Sequence, residues 1–254
     1  MTSTTIHEIA PDNFRLSTHI DEVAPPAGLS FNQFLIRGDE PFLFHTGMRQ
    51  LFPLVSGAVS KLIPIGDLRW ISFAHVEADE SGAMNQFLAA APHAQVVHGG
   101  LAVAISLNDL ADRPPRSMAD DEVLDIGGHQ LRFLPTPHVP HSWESGLWFD
   151  ETTATLLAGD LFTQVGRSGP VTTDDMIERS LAAEEIFHST SLGPNVAPTL
   201  RRLATLQPTT LATMHGPSFH GDGAAQLTAL AASYAALASA DRVRLPRFDG
   251  GSSY

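Results

Sequence analysis

Short apolar runs bounded by turn residues alternate along this chain with longer stretches whose apolar positions recur at helical spacing; the former read as strands and the latter as helices. Thr18 to Asp21 and Ser30 to Arg37 are read as strands on either side of the turn-rich Ala24-Pro25-Pro26-Ala27-Gly28. Pro41 to His45 is a third short strand, and Leu51 to Leu62 a helix with Pro53 confined to its first turn. Arg69 to Phe73 predicts a strand, His75 to Gly82 a loop, Ala83 to Ala91 a helix and Ala94 to Val97 a strand. Asn108 to Asp120 reads as irregular. Glu122 to Ile126 and His129 to Leu134 form a hairpin signal around Gly127-Gly128, followed by a second strand pair, Leu147 to Asp150 and Thr155 to Leu157. Helices are expected over Asp174 to His188, Ala197 to Leu206 and Ala224 to Ala240; a strand is expected at Thr209 to Thr213 and a loop at His215 to Gly223. Interleaved strands and helices in both halves predict an α/β layered domain over residues 1–246, with residues 247–254 as a loose Gly/Ser tail.

Composition narrows the chemistry. The chain has 254 residues, 43% hydrophobic and 17% charged, which suits a globular α/β protein with a substantial core. No run approaches the roughly 20 apolar residues of a membrane span, and the N-terminus lacks a secretory pattern, so a cytoplasmic protein is expected. There is no cysteine, which excludes disulfides, Cys-ligated zinc and thiolate catalysis. The net charge of -13 opposes binding to nucleic acid or acidic membranes, so neither is expected as a partner.

Four segments carry the candidate chemistry. His75-Val76-Glu77-Ala78-Asp79 directly follows an apolar strand and spaces three metal-ligating side chains two residues apart. Alone it is equally a solvated loop in which Asp79 caps the next helix. His138-Val139-Pro140-His141-Ser142 is stiffened by prolines on both sides of His138, as suits a fixed ligand or simply a surface turn. Asp160 follows the apolar Leu156-Leu157-Ala158-Gly159, where a buried carboxylate needs a partner. His215 stands in Met214-His215-Gly216-Pro217, again at a strand end; a helix-capping Asp160 and a core His215 are the plainer alternatives.

Taken together, the four loops resemble the metallo-β-lactamase superfamily, whose pattern is H-x-H-x-D-H, then a lone His in a Gly/Pro/Ser loop, a lone Asp after an apolar strand, and a late His. The likeness runs from about Ser17 to Ala240 and implies an αββα sandwich of two mixed sheets flanked by helices. Glu77 stands where hydrolases of the superfamily carry His. His-x-Glu-x-Asp resembles the diiron domain of flavodiiron proteins and standalone oxygen-binding diiron proteins, as do Met214-His215-Gly216-Pro217 and Phe31-Asn32-Gln33-Phe34-Leu35-Ile36. A carboxylate in place of an imidazole makes the site harder, favouring iron or manganese over zinc.

This resemblance implies two metal ions, iron first, with zinc or manganese as alternatives. His75, Glu77 and His138 would hold one, Asp79 and His215 the other, and Asp160 would bridge them. Glu80 replaces the usual His and is read either as a further ligand of the second metal or as solvent-facing. His141 is read as a residue behind the ligands, a loop residue or a ligand, and His188 as lining the pocket. The leading expectation is a diiron protein that binds, senses or reduces dioxygen, nitric oxide or peroxide, with no flavin domain in this chain and an external electron donor. A hydrolase using a bridging hydroxide and a metal-stabilised signalling module are the alternatives. The resemblance also allows a homodimer.

Overall fold

The computed structural model describes residues 3–244, so the expected tail at 247–254 lies outside the described residues. The first sheet has seven strands: β1 (Thr4–Ala10), β2 (Asn13–Ile20), β3 (Leu29–Ile36), β4 (Phe42–Phe44), β5 (Trp70–Ser72), β6 (Gln95–Gly99) and β7 (Arg116–Met118), in that spatial order. β1 to β4 are antiparallel and β4 to β7 parallel. The second sheet has β8 (Val123–Asp125), β9 (Gln130–Pro135), β10 (Gly146–Asp150), β11 (Thr155–Gly159), β12 (Val171–Thr172), β13 (Thr210–Thr213) and β14 (Ser218–His220), ordered β12-β14-β13-β11-β10-β9-β8.

Strand alternation decides which side chains meet. All eight residues of β3 are buried, because both faces of the first sheet are covered. Phe34 and Ile36, with their neighbours Phe44 and Phe42, face the second sheet; Phe31, Leu35 and Leu43 belong to a separate apolar cluster that includes residues of helices α1 (Phe52–Val59) and α3 (Met84–Ala90). Phe133, Trp148 and Leu157 lie directly opposite one another in the second sheet and belong to the apolar layer between the sheets. The Trp148 ring meets Phe42 at 5.2 Å and Phe133 at 5.1 Å, and its Nε1 donates to Ser72 Oγ at 2.9 Å. That bond satisfies the indole and ties the sheets together. Leu200 and Leu203 of α7 (Val196–Ala204) and Leu227 and Leu230 of α8 (Gly223–Arg244) complete the core on the second sheet's side, with α6 (Ile177–Phe187) beside them.

The expected layers are present. Three expectations of loop or irregular chain are replaced by structure. The segment after β5 contains the short helix α2 (Ala78–Ser81). Asn108 to Asp120 holds α5 (Asn108–Leu110) and β7, preceded by α4 (Gly100–Ala102) and the π-helical turn Val103–Leu107. His215 to Gly223 contains β14. β1 and β12 had no clear pattern because both are sheet-edge strands with half-exposed, mostly polar residues.

Phe133 is 1% exposed and fits between Trp148 and His98. Phe133→Ala is expected to cost about 3–5 kcal/mol in urea unfolding, as for other buried aromatics truncated to alanine.

Candidate metal centre

The candidate ligands share one edge of the two sheets. β9, β11 and β13 point the same way, since β11 is parallel to β13 and two antiparallel steps separate β9 from β11. Their C-terminal ends lead to His141, Asp160 and His215. In the first sheet, parallel β4 and β5 end at His45 and His75. Gly159, at φ +53, makes the approach of the two sheets feasible: a Cβ there would lie 2.7 Å from Ala74 Cβ.

Two groups of donors meet at Asp160. In the first, Glu77 Oε2 lies 2.6 Å from His75 Nε2 and 3.2 Å from His141 Nε2, while the two imidazole nitrogens are 2.9 Å apart. Asp160 Oδ2 faces both, at 3.8 and 3.7 Å, and one ligand atom from each of these four residues lies within 4.8 Å of all the others. In the second, His215 Nε2 lies 3.4 Å from Asp79 Oδ2 and 3.3 Å from Asp160 Oδ1. The Asp160 carboxylate therefore turns one oxygen to each group, as a bridging carboxylate must. Two imidazole nitrogens pointed at one another repel unless a proton or cation is shared between them. Asp160 Oδ1 is buried without a hydrogen bond. The donor set is nitrogen and oxygen alone, which fits hard first-row cations.

The imidazoles are held from behind. His215 Nδ1 lies 2.8 Å from the Ser30 carbonyl oxygen, which can only accept, so Nδ1 carries the proton and Nε2 faces Asp79 and Asp160. Glu80 is fully buried: its Oε2 accepts from the backbone N–H groups of Ala74 and His75, each at 2.8 Å, and lies 3.4 Å from His75 Nδ1. Its Oε1 lies 3.3 Å from Nε2 of His45, a buried residue that the sequence motifs left out. The only sequence signal for His45 was its place at the end of an apolar strand before Thr46-Gly47. Thr46 completes this support, its N and Oγ1 both donating to the Glu80 carbonyl.

The structure thus brings together His75, Glu77, Asp79, Asp160 and His215, and adds His141. It does not bring in His138, whose side chain is exposed beside Ser191, Gly193 and Pro194. His138 sits at φ +63 with its N–H donating to the Ser142 carbonyl, so the loop turns there and presents the next histidine instead. Glu80 does not face solvent; it buttresses His75. His188, read as lining the pocket, is the exposed left-handed residue ending α6.

Electrostatics follow from the crowding. Burial opposes protonation of His75 and His215, but the carboxylates of Glu80, Glu77 and Asp160 around the one, and of Asp160 and Asp79 around the other, outweigh it and raise both to about 10. Glu77 is held down at about 2 by its hydrogen bonds to His141 and His75. Burial would raise Asp160, but His215, His75 and His141 hold it below the usual carboxylate range. Without metal, protons on the histidines are therefore what offset the carboxylates.

Raised histidine pKa values stabilise the fold fully below the unfolded value of about 6.5, and this is lost as pH rises through about 10. The chelator-treated protein is expected to lose thermal stability steadily between pH 7 and 10, whereas the metal-loaded protein holds its midpoint over that range. Equal midpoints of the metal-free protein at pH 7 and 10 would contradict the charge balance described. A second expectation separates the two loop histidines: His141→Ala lowers bound metal by about one ion per chain, while His138→Ala leaves the content unchanged, read by elemental analysis.

Among known proteins, the family model described as "ODP family beta lactamase" matches residues 29–216. A putative diflavin flavoprotein A 1 of Nostoc sp. is 31% identical over 201 residues, covering 75% of this chain and 34% of that protein. An anaerobic nitric oxide reductase flavorubredoxin of Salmonella arizonae is 28% identical over 150 residues, covering 58% of this chain and 31% of that protein. The chain thus spans about a third of the length of these curated relatives. Among solved structures, the metal-soaked Flv1 flavodiiron core from Synechocystis sp. superposes with a TM-score of 0.78 at 22% identity, over 92% of this chain and 61% of that one. The sandwich is that of the metallo-β-lactamase fold, and the chain belongs to the ODP family of β-lactamase-like proteins.

Proposed function

We propose that this chain is a non-haem diiron protein that binds or reduces dioxygen, nitric oxide or peroxide. One observation carries the reading: the Asp160 carboxylate divides its oxygens between a His75–Glu77–His141 group and a His215–Asp79 group. The printed names of the relatives support it, one as a nitric oxide reductase and one as a flavodiiron core.

His75, Glu77, His141 and Asp160 would hold one iron, and Asp160, Asp79 and His215 the other. The iron pair, when bound, supplies the electrons for reducing a small oxidant. The residues of the chain set the conditions. The Ser30 carbonyl fixes the tautomer of His215, and Glu80 with His45 fixes the position of His75. Glu77, Asp79 and Asp160 supply three negative charges that favour an oxidised over a reduced metal pair. The Asp79–His215 side offers fewer donors than the other, which leaves room for an incoming molecule. Glu77 and His141 are the more exposed donors, with side chains 53% and 24% accessible, so entry is from their side. Electrons would come from a donor outside the described residues.

The test is the metal content of protein purified without added zinc, with absorption spectra before and after reduction and on return to air. Two irons per chain are expected, with ferric absorption that bleaches on reduction and returns with oxygen. Two zincs in a colourless protein that cleaves simple esters would overturn the redox reading in favour of a hydrolase.

A further inference from the structure

The first sheet extends beyond the second, and there its inner face changes character. Arg15 stands directly beside Phe34 in the β2–β3 ladder, with His7 on its other side; Ser17 pairs with Thr5, and His19 with Ser30. Phe34 belongs to the apolar layer, but Thr5, His7, Arg15, Ser17, His19 and Ser30 line a hollow of about 560 Å³, a size typical of ligand sites. Arg167, Ser168 and Pro170, just before β12, close it from the other side.

Arg15 is the unusual member. It is 4% exposed, yet it forms no ion pair with any carboxylate among the described residues. Its Nη2 donates to the Gly216 carbonyl at 2.9 Å, and its Nε is buried without a partner. That carbonyl is already shared, since Asn32 Nδ2 donates to it at 2.9 Å. The one carboxylate lining the hollow, Asp21, is engaged elsewhere: Arg167 Nη2 donates to its two oxygens at 2.8 and 3.0 Å, and His19 Nε2 lies 3.3 Å from Oδ1. A buried guanidinium that lacks an anion is costly, and burial lowers its pKa to about 10. Local charge here is also opposite in sign to the chain's net -13.

We infer that this cleft between the sheet edges binds a small oxyanion-bearing molecule, a phosphate or a carboxylate, whose oxygens pair with Arg15 while the hydroxyls of Ser17 and Ser30 and the rim cation Arg167 complete its hydrogen bonds. A guanidinium donates charge-assisted hydrogen bonds to either group. The site is separate from the metal ligands, although Ser30 and Gly216 adjoin both.

Isothermal titration calorimetry at constant ionic strength, with chloride as balancing salt, tests this using inorganic phosphate and succinate in turn. Metals are present in one series and stripped by chelator in the other, which separates the cleft from anion binding at a metal. At least one probe is expected to bind in both series, and which one does so distinguishes the phosphate from the carboxylate class. Binding is expected to weaken at least tenfold in Arg167→Glu, an exposed change that leaves the core untouched, and to vanish in Arg15→Gln. The inference fails if neither probe binds the stripped protein, or if binding to it is indifferent to Arg167→Glu.

Discussion

Carboxylates brought close together in a site shielded from water repel one another, and they persist ionised only beside enough positive charge. Glu77, Asp79, Glu80 and Asp160 meet at one edge of this sandwich, and the imidazoles of His45, His75, His141 and His215 are interleaved among them. Each carboxylate lies within a few ångströms of an imidazole. This alternation balances the cluster's charge without metal, and the same donor atoms are those that divalent cations would occupy in a metal-loaded protein.

The fold's contribution is rigidity at those points. The chain leaving β4 delivers His45, the chain leaving β5 delivers His75, Glu77, Asp79 and Glu80, and β9, β11 and β13 lead to His141, Asp160 and His215. Behind them, main-chain groups do much of the positioning: the Ser30 carbonyl for His215, and the Ala74 and His75 amides for Glu80. Ser30 lies on a buried strand and Ala74 and His75 lie just beyond one, so side chains anchored to them stay oriented.

How much of this could be read from the sequence depended on whether the signal was local. His75, Glu77, Asp79, Asp160 and His215 were candidates because they follow apolar strands, but each was ambiguous alone, and only the resemblance to the superfamily's four-loop pattern joined them into one site. The choice between His138 and His141 was not legible: it turns on the left-handed backbone at His138 and Ser142, which rotates the loop by one position of chemistry while the letters stay the same. Glu80 was misjudged because its partner His45 lies 35 residues earlier, just after β4, a pairing that no periodicity encodes. The layered α/β character was visible in the interleaving of strands and helices, and the sandwich only through the family resemblance, whereas the edge strands β1 and β12 and the three-residue β14 were too short or too polar to show before the ladder did.

Consider finally the bond between His215 and Ser30. It joins residues 185 positions apart, and the bond from Arg15 to the Gly216 carbonyl spans 201. Contacts of such sequence separation close only after the chain has surrendered most of its loop entropy, so they arrive late in folding. The group around His215 and Asp79 is therefore complete only once the C-terminal part of the chain has joined the first sheet, whereas the four donors of the other group all lie between His75 and Asp160. The two halves of the candidate centre thus depend on the folding of different lengths of chain.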